Sequence, residues 1–482
     1  MRPVLRLLEE DLITRILDEA RDVLCRLGFE VHNSAALELL AAHGARIDQN
    51  SGRVLLRPEL IDQALKTAPQ RIQLFDALGQ QTHDFSGGNV YFTPGSAALN
   101  ILDPETQSIR RPKTSDYVAF VQLVSGLRYL ASQSTALVPD DVPEPISDSY
   151  RLYLSLLLGE KPVVTGCFTI ESFQVMKDMQ CAVRGSEREL AEKPLAIFSC
   201  CPTAPMKWSQ IPAQNLLDCA RARIPVELVA MPLAGFMAPV SLVGTVIQHT
   251  AEVLSGIVIS QLACPGAPVL YGGSPAIFDV RRETTPMGAI ETIMIDCACS
   301  EVGKYLGLPT QAYVALSDAK LLDAQAGLET GIGAVLAALS GINSISGPGM
   351  LDFESCQSLE KLVLDNEICG MALRLVQGIE PRDEFPIRPL LEELLRDKHL
   401  LISEHTRRWL RHEHFLPGPV IDRASSGRWL EQGGKTLGQR AREEKQKKIA
   451  AWRPSRLSTA AKTELTQLMN AEARRHGRAG LA

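Results

Sequence analysis

One pattern repeats between about residue 115 and residue 351: a short apolar strand, then a polar or glycine-rich turn, then a helix. Strict alternation of this kind predicts parallel strands, because each helical crossover returns the chain to the same end of the sheet. The strand candidates are near-continuous apolar runs, which is typical of strands covered on both faces. They are residues 129–138, 161–168, 195–200, 225–233, 267–273, 310–316 and 342–349. The helices between them are predicted at 149–158, 171–183, 210–222, 243–262, 287–306 and 323–340.

The number of strands distinguishes two α/β folds. With one more strand, the seven candidates would close a (β/α)8 TIM barrel, which is the fold we predict. The eighth strand is expected either at 89–94 (NVYFTP) or after residue 376. An open doubly wound sheet is the alternative, but no G-x-G-x-x-G sequence follows its first strand.

Two extensions flank the repeating region. Residues 1–114 are predicted to form N-terminal helices and a small β region packed on the barrel, and residues 115–380 the barrel itself. Residues 381–482 are charged and are predicted to form a C-terminal helical extension. We expect this extension to be exposed, either as an oligomerisation element or simply as a solvated helical face.

Composition limits the classes of function. The net charge of −6 gives no basic surface for nucleic acid. No secretory leader and no apolar run of about 18 residues is visible, so we expect a cytoplasmic protein without a membrane span. The eleven cysteines are interpreted as reduced thiols. No metal site is predicted, because histidines and cysteines do not cluster with carboxylates.

The active site of a barrel lies at the carboxyl ends of its strands. No histidine occurs in the loops that follow the predicted strands, so a Ser–His–Asp arrangement has little support. His249 lies in the middle of a helix, where we expect it to pack or to form a hydrogen bond. The strand 310–316 ends in an unusually polar cluster, which contains Ser317, Asp318 and Lys320.

Aromatic residues recur at the predicted strand ends. They include Phe168, Phe236, Tyr271, Tyr313 and Phe353. Aromatic faces attract a quaternary ammonium group, which cannot donate a hydrogen bond. If these residues converge, they form a cage for such a cation; otherwise each is an ordinary core residue.

Several long stretches carry a family resemblance. They include SGRVLLRPELIDQALKTAPQRIQLFD, IRRPKTSDYVAFVQLVSGL, IPVELVAMPLAGFMAPVSLVGTVIQHTAEVLSGIVISQLACPGAPVLYGG, SDAKLLDAQAGLETGIGAVLAALSGINSISGPGML and SLEKLVLDNEICGMALRL. In this order they resemble the trimethylamine:corrinoid methyltransferase superfamily over almost the whole chain. The resemblance implies a (β/α)8 barrel and transfer of a methyl group from an amine to the Co(I) corrinoid of a separate partner protein, with no cofactor bound permanently.

The resemblance also locates the reaction. Archetypal family members carry pyrrolysine at the end of a strand, just before a Ser-Asp-x-Lys motif, which here is Ser317-Asp318-Ala319-Lys320. The equivalent position is Ala315, within one residue, so ordinary residues replace pyrrolysine. A quaternary amine already has a neutral leaving group and needs no such activation. We therefore predict a betaine-type quaternary amine methyltransferase, with glycine betaine as the leading substrate.

Roles follow for individual residues. Asp318 would balance the ammonium charge, or else cap a helix that starts near Leu321. Lys320, Arg281 or Arg282 would hold a substrate carboxylate, unless the arginines pair with Asp279 and Glu283.

Four further positions complete the prediction. Gln325 and Glu329 lie one helical turn apart and would line the same wall or pack the helix. Gly347 and Gly349 would let the backbone approach the docked corrinoid closely.

Two other classes of function remain open at this stage. A Schiff-base enzyme would use Lys320 or Lys161. A quaternary-amine-binding or corrinoid-docking protein would have lost the chemistry together with pyrrolysine. The expected partners are a corrinoid protein and a small quaternary amine, with no nucleic acid or membrane, and a homo-oligomer is allowed.

Overall fold

Eight short parallel strands form the centre of the molecule. The computed structural model describes residues 2–48, 50–478 and 480. In chain order the strands are β1 (Tyr91–Thr93), β2 (Gln133–Ser134), β3 (Val163–Thr165), β4 (Ala196–Cys200), β5 (Val226–Ala230), β6 (Val269–Gly273), β7 (Gln311–Tyr313) and β8 (Ser344–Ser346). All seven strand candidates are confirmed, and β1 is the predicted additional strand at 89–94.

A helix follows each of these strands. The helices are Thr114–Ser125, Ser147–Leu158, Ser172–Arg184, Gln210–Ala222, Leu242–Ala263, Ile290–Tyr305, Ala324–Leu339 and Leu359–Val376. Six of them, from Ser147–Leu158 to Ala324–Leu339, were predicted, and their ends lie within about three residues of the predicted ones. Helical periodicity and the flanking glycines, prolines and caps mark these ends in the sequence. A short extra helix, Glu187–Glu192, precedes β4.

The strands divide into two hydrogen-bonded parallel sheets. One has the order β6-β5-β4-β3-β2, and the other has the order β7-β8-β1. Isolated parallel bridges join them at both edges, between Tyr271 and Thr310 and between Phe92 and Leu130. The strands therefore follow chain order without interruption. We call the side facing the helices the outer face and the opposite side the inner face.

An N-terminal hairpin covers the amino ends of the strands. Its antiparallel strands are Ile72–Phe75 and Gln81–Phe85. Backbone hydrogen bonds attach it to the segments that precede β3 and β4, through Ala77 to Glu160 and Phe75 to Pro194. Apolar side chains of the hairpin pack with those on the inner face of β3, β4 and β6: Ile72, Leu74 and Phe85 with Val164, Ile197 and Leu270.

The remaining N-terminal elements pack on the outer helices. Helices Glu10–Asp22, Ser34–Ala42 and Pro58–Thr67 all contact Leu242–Ala263. Small strand pairs accompany them: Glu30–Val31 with Lys207–Trp208, Arg46–Ile47 with Val54–Leu55, and Asn100–Leu102 with Ile109–Arg110. Two-residue strands also pair in the loops that follow β5, β6 and β8: Leu233–Ala234 with Ala276–Ile277, and Met350–Leu351 with Cys356–Gln357.

Helix Leu242–Ala263 is long and apolar enough to cross a membrane by length and composition alone. However, 72% of its most apolar window is buried in the protein. It packs against β5, β6 and five other α-helices, so it is a core helix here.

The C-terminal region contains helices Arg388–Asp397, Glu404–Glu413, Ser426–Glu431, Leu437–Ala450 and Thr459–Arg475. The expectation that this extension is simply exposed is wrong for its last two helices. Leu437–Ala450 packs on Leu359–Val376 and Thr114–Ser125, and Thr459–Arg475 packs on Ser147–Leu158 and Ser172–Arg184. Leu465 and Met469 are buried there.

Candidate functional site

A cleft of about 860 Å³ opens at the carboxyl ends of β6, β7 and β8. We call it the mouth cleft. Seven of the residues predicted for the site line it: Arg281, Arg282, Asp318, Lys320, Gln325, Glu329 and Phe353. The loops after three successive parallel strands and one helix thus bring together residues that are distant in sequence.

The end of β7 is a tightly packed turn. Ala315 is 1% exposed and has a φ of 67°, in the left-handed region. A non-glycine residue carries roughly 1–2 kcal/mol of strain there. Two glycines make room for the turn: a Cβ on Gly347 would lie 2.2 Å from the Val314 carbonyl oxygen, and one on Gly333 would lie 2.9 Å from the Ala315 nitrogen.

Glu329 connects this turn to helix Ala324–Leu339. The Ser317 hydroxyl donates to Glu329 Oε2 at 2.6 Å, and the Asp318 amide donates to the same oxygen at 2.8 Å. Gln325 Nε2 donates to Oε1 at 2.9 Å. Gln325 and Glu329 therefore line the cleft and also hold the strand end in place.

Asp318 does not cap the following helix. That helix begins at Ala324, and Asp323 caps it by accepting from the amides of Gln325 and Ala326. The Asp318 carboxylate instead accepts from the amides of Met287 and Gly288, both at 2.9 Å.

Asp318 thus joins the loops after β6 and β7. Burial raises its pKa to about 6, and Glu329 contributes to the rise, while the two amide donors and Lys320 oppose it. Two amide donors fix the position of this carboxylate, and it faces a cleft that also contains cationic side chains.

Two cationic side chains of the cleft, Arg281 and Lys320, already have acidic partners. Arg281 pairs with Asp279 through its Nε and Nη2, at 3.1 and 2.9 Å, as the alternative interpretation proposed. Lys320 lies 3.2 Å from Asp352 and donates to the Asp318 carbonyl at 2.6 Å. To hold a substrate carboxylate, either residue would have to exchange a partner.

Two aromatic candidates already contact a cation of the protein. The Lys320 Nζ lies 3.7 Å from the centroid of the Phe353 ring, and the Arg151 guanidinium carbon lies 4.6 Å from that of Phe168. Both rings therefore display the attraction for cations that a cage requires, but a protein side chain satisfies it here.

Tyr271 and Phe236 do not line the mouth cleft. Tyr271 lies on the outer face, where its hydroxyl is 2.8 Å from Thr250 Oγ1 of the long core helix. The prediction that Tyr271 forms a cage wall is therefore wrong. Phe236 is exposed and stacks on Phe278, with ring centroids 4.8 Å apart. The five aromatics do not form one cage.

Gly347 and Gly349 are buried, and protein atoms occupy the space beside them. A Cβ on Gly349 would lie 2.0 Å from Gln357 Oε1, and the Gly349 amide donates to Asp365 Oδ2 at 2.6 Å. The backbone of this segment does approach other atoms closely, as predicted. However, those atoms belong to the protein itself, so the two glycines do not provide a docking surface.

Asp365 is in turn held by Lys361. The Lys361 ammonium lies 2.5 Å from Asp365 Oδ2 and donates to Thr330 Oγ1 at 2.8 Å. Both charged side chains are completely buried. This ion pair fixes the segment that packs against the end of β7.

A polar cluster on the inner face was missed by sequence analysis. Leu228 and Tyr271 face the outer helices, so the alternation along β5 places Glu227 on the inner face. Glu227 Oε1 accepts from the Ser199 hydroxyl of β4 at 2.6 Å. Tyr313 of β7 approaches the same carboxyl group, and its own hydroxyl lies 3.5 Å from Ser96 Oγ. The only signal in the sequence is one glutamate in the apolar strand PVELVAMPL.

A strained turn adds Glu354 to this region. Asp352, Phe353 and Glu354 have successive φ values of 50°, 54° and 69°. Three non-glycine residues in the left-handed region store several kcal/mol, roughly 1–2 kcal/mol each. The Asp352 amide, which donates to the Ala319 carbonyl, and the Ser355 hydroxyl, which donates to Asp352, hold the turn in place.

The architecture and the cleft define an α/β protein whose polar site lies at the carboxyl ends of parallel strands. The model of the trimethylamine methyltransferase (MTTB) family matches residues 1–477, so the chain belongs to this family. Similar proteins include a trimethylamine methyltransferase, MttB, of Desulfitobacterium hafniense, which is 29% identical and aligns with 88% of this chain and 85% of its own length.

Another relative is named for a different substrate. The glycine betaine methyltransferase of Desulfitobacterium hafniense is 28% identical, and the alignment covers 94% of both chains. The crystal structure of the Methanosarcina barkeri monomethylamine methyltransferase (MtmB) has a TM-score of 0.55 and 9% identity, and covers 92% of this chain and 88% of that one. At this identity the structural likeness concerns the fold alone.

Proposed function

We propose that this protein transfers a methyl group from a betaine-type quaternary amine, with glycine betaine as the expected substrate, to the Co(I) corrinoid of a partner protein. The observation that carries the proposal is the end of β7. There Val314, Ala315 and Leu316 occupy the place at which the archetypal family pattern has pyrrolysine. The full-length similarity to a protein named glycine betaine methyltransferase supports the same substrate class.

The chemistry explains why an ordinary residue suffices. Transfer breaks one C–N bond of the substrate, whose electron pair stays on nitrogen, so that a neutral tertiary amine leaves without needing a proton. The corrinoid supplies the nucleophile. The protein then has to position the methyl group, exclude water and hold the positive charge until it is neutralised.

We also propose that the eight strands close a (β/α)8 barrel. The two bridges at Tyr271–Thr310 and Phe92–Leu130 support closure, because they connect the edges of both parallel sheets. The reaction would then occur at the carboxyl ends of the strands, where this fold generally places its active sites.

The test is anaerobic incubation of the purified protein with its corrinoid partner in the Co(I) state and a panel of methylated amines. Methylated corrinoid is followed by absorbance, and the demethylated amine by mass spectrometry with deuterated N-methyl groups. We expect transfer from a quaternary amine and much slower transfer from trimethylamine. Equal rates with trimethylamine would refute the substrate assignment, and ligand binding without transfer would indicate a binding protein.

A further inference from the structure

The inner face carries carboxyl groups that have no cationic partner. Glu227 is completely buried, and its Oε2 has no hydrogen-bond partner. Glu354 Oε1 is likewise buried and unpartnered. Outside the inner face, both carboxyl oxygens of Asp296 on helix Ile290–Tyr305 are also buried without a partner. A buried carboxylate is strongly disfavoured unless a cation or a proton neutralises it.

The groups that interact with these carboxyls are acidic or neutral. Glu227 is reached by Ser199, Tyr313, Cys201 and Glu354. Burial raises the pKa of Glu227 to about 7, and that of Glu354 to about 8 with a further contribution from Glu227. Asp296 also reaches Glu354, and burial raises its pKa well above the usual range.

We propose that Glu227 and Glu354 form the subsite for the quaternary ammonium group, with the Tyr313 ring as its wall. This inference rests on the proposed function, because it assigns the charge-holding part of the same reaction. The three side chains come from β5, β7 and the strained turn after β8, and each interacts electrostatically with the other two. A quaternary ammonium has no N–H to donate, so diffuse negative charge and an aromatic face suit it better than a hydrogen-bonding partner.

A metal ion is the competing cation. Among the residues that the structure describes, no three His, Cys, Asp or Glu side chains are arranged to hold a metal. Two carboxyls beside a phenol ring suit a large organic cation better than a compact metal ion, which requires six or more close oxygen ligands.

The subsite has a measurable consequence. At pH 7 the two carboxyl groups are partly protonated, and a bound cation favours their ionised form. Binding therefore releases a fraction of a proton, up to about one per cation, and affinity rises with pH between about pH 6 and pH 8. A cation bound at Asp318 in the mouth cleft would release only about a tenth of a proton at pH 7, because the pKa of that carboxyl is about 6.

The test is isothermal titration calorimetry of the full chain with tetramethylammonium and with glycine betaine, at pH 7, in buffers of different ionisation enthalpy. We expect proton release with both ligands. The variants Glu227→Gln and Glu354→Gln should each weaken binding about tenfold or more and reduce the proton release.

Glu252→Gln is the matched control. Glu252 is also buried, burial raises its pKa to about 7, and its Oε2 is unpartnered. However, it lies on the core helix Leu242–Ala263, where Oε1 accepts from the Met206 amide. This variant should bind both ligands as the wild type does.

The outcomes distinguish a failure of the proposed subsite from a failure of the proposed function. Methyl transfer from a quaternary amine, with binding unchanged in both inner-face variants, would overturn the subsite and leave the function standing. Cation binding with proton release, but without transfer from any amine, would support the subsite and refute the function. If a variant does not fold, wild-type binding without proton release at pH 7 would still overturn the subsite.

Discussion

The buried ion pair between Lys361 and Asp365 allows a quantitative prediction. Burial raises the pKa of Asp365, and Lys361 opposes that rise from 2.5 Å. In Lys361→Met the carboxylate loses its cation, so the folded protein must keep Asp365 protonated. The unfolded chain has no such need, because its aspartates ionise near pH 4.

The free energy of this protonation sets the size of the effect. With an unfolded pKa near 3.9, protonation costs about 4 kcal/mol at pH 7 and about 1.5 kcal/mol at pH 5, at roughly 1.4 kcal/mol per pH unit. The value at pH 7 agrees with the roughly 3–5 kcal/mol lost when one partner of a buried pair is removed. The folded form of the variant binds the extra proton, so its stability relative to wild type falls as pH rises through this range.

The assay is urea unfolding followed by tryptophan fluorescence at pH 5, 6 and 7, for wild type and variant. The matched control is the double variant Lys361→Met with Asp365→Asn, which keeps an acceptor for the Gly349 amide but carries no charge. Its stability difference from wild type should vary little with pH. A single variant whose loss of stability is equal at pH 5 and pH 7 would refute the argument.

Three further predictions concern the end of β7, the inner face and the C-terminal helices. Gly347→Ala should destabilise the protein by about 1–3 kcal/mol in the same unfolding assay, because its Cβ would overlap the Val314 carbonyl. Gly331→Ala, where a Cβ meets nothing within 4 Å in a helix, should be neutral or stabilising; equal losses would contradict the packing argument. Tyr313→Ala should raise KM for the quaternary amine and Tyr313→Phe much less, and an unchanged KM in Tyr313→Ala would remove its ring from the binding wall. Deleting residues 456–482 should lower the melting temperature and promote aggregation by exposing the apolar contacts of the last helix, whereas an unchanged melting curve would show that this helix is dispensable.

Sequence patterns predicted the alternating elements well because strand and helix periodicities are local properties. Helix Gln210–Ala222 was predicted to the residue. The polar cluster after β7 was located from the change of residue type at Ser317, although the strand itself already ends at Tyr313. Local patterns also identified the residues of the mouth cleft, because the carboxyl ends of parallel strands meet at one edge.

The sequence did not predict which residues of each strand point to the inner face and which to the outer face. Strands covered on both sides are apolar throughout, so nothing in the sequence shows that Tyr271 faces a helix and Glu227 the inner face. The left-handed turn at Asp352, Phe353 and Glu354 has no glycine to reveal it. Similarly, the Arg151 guanidinium over Phe168 joins residues from separate elements, and only the fold places them together.

The hairpin of Ile72–Phe75 and Gln81–Phe85 has a consequence for the sequence of events in a catalytic cycle. Because its apolar side chains cover the amino ends of the strands, we expect ligands to reach the inner face only from the carboxyl ends, where the mouth cleft lies. The methyl donor and the methyl acceptor would then have to use the same entrance. We therefore expect compulsory-order kinetics, in which the small amine enters first and its demethylated product leaves only after the larger partner has withdrawn.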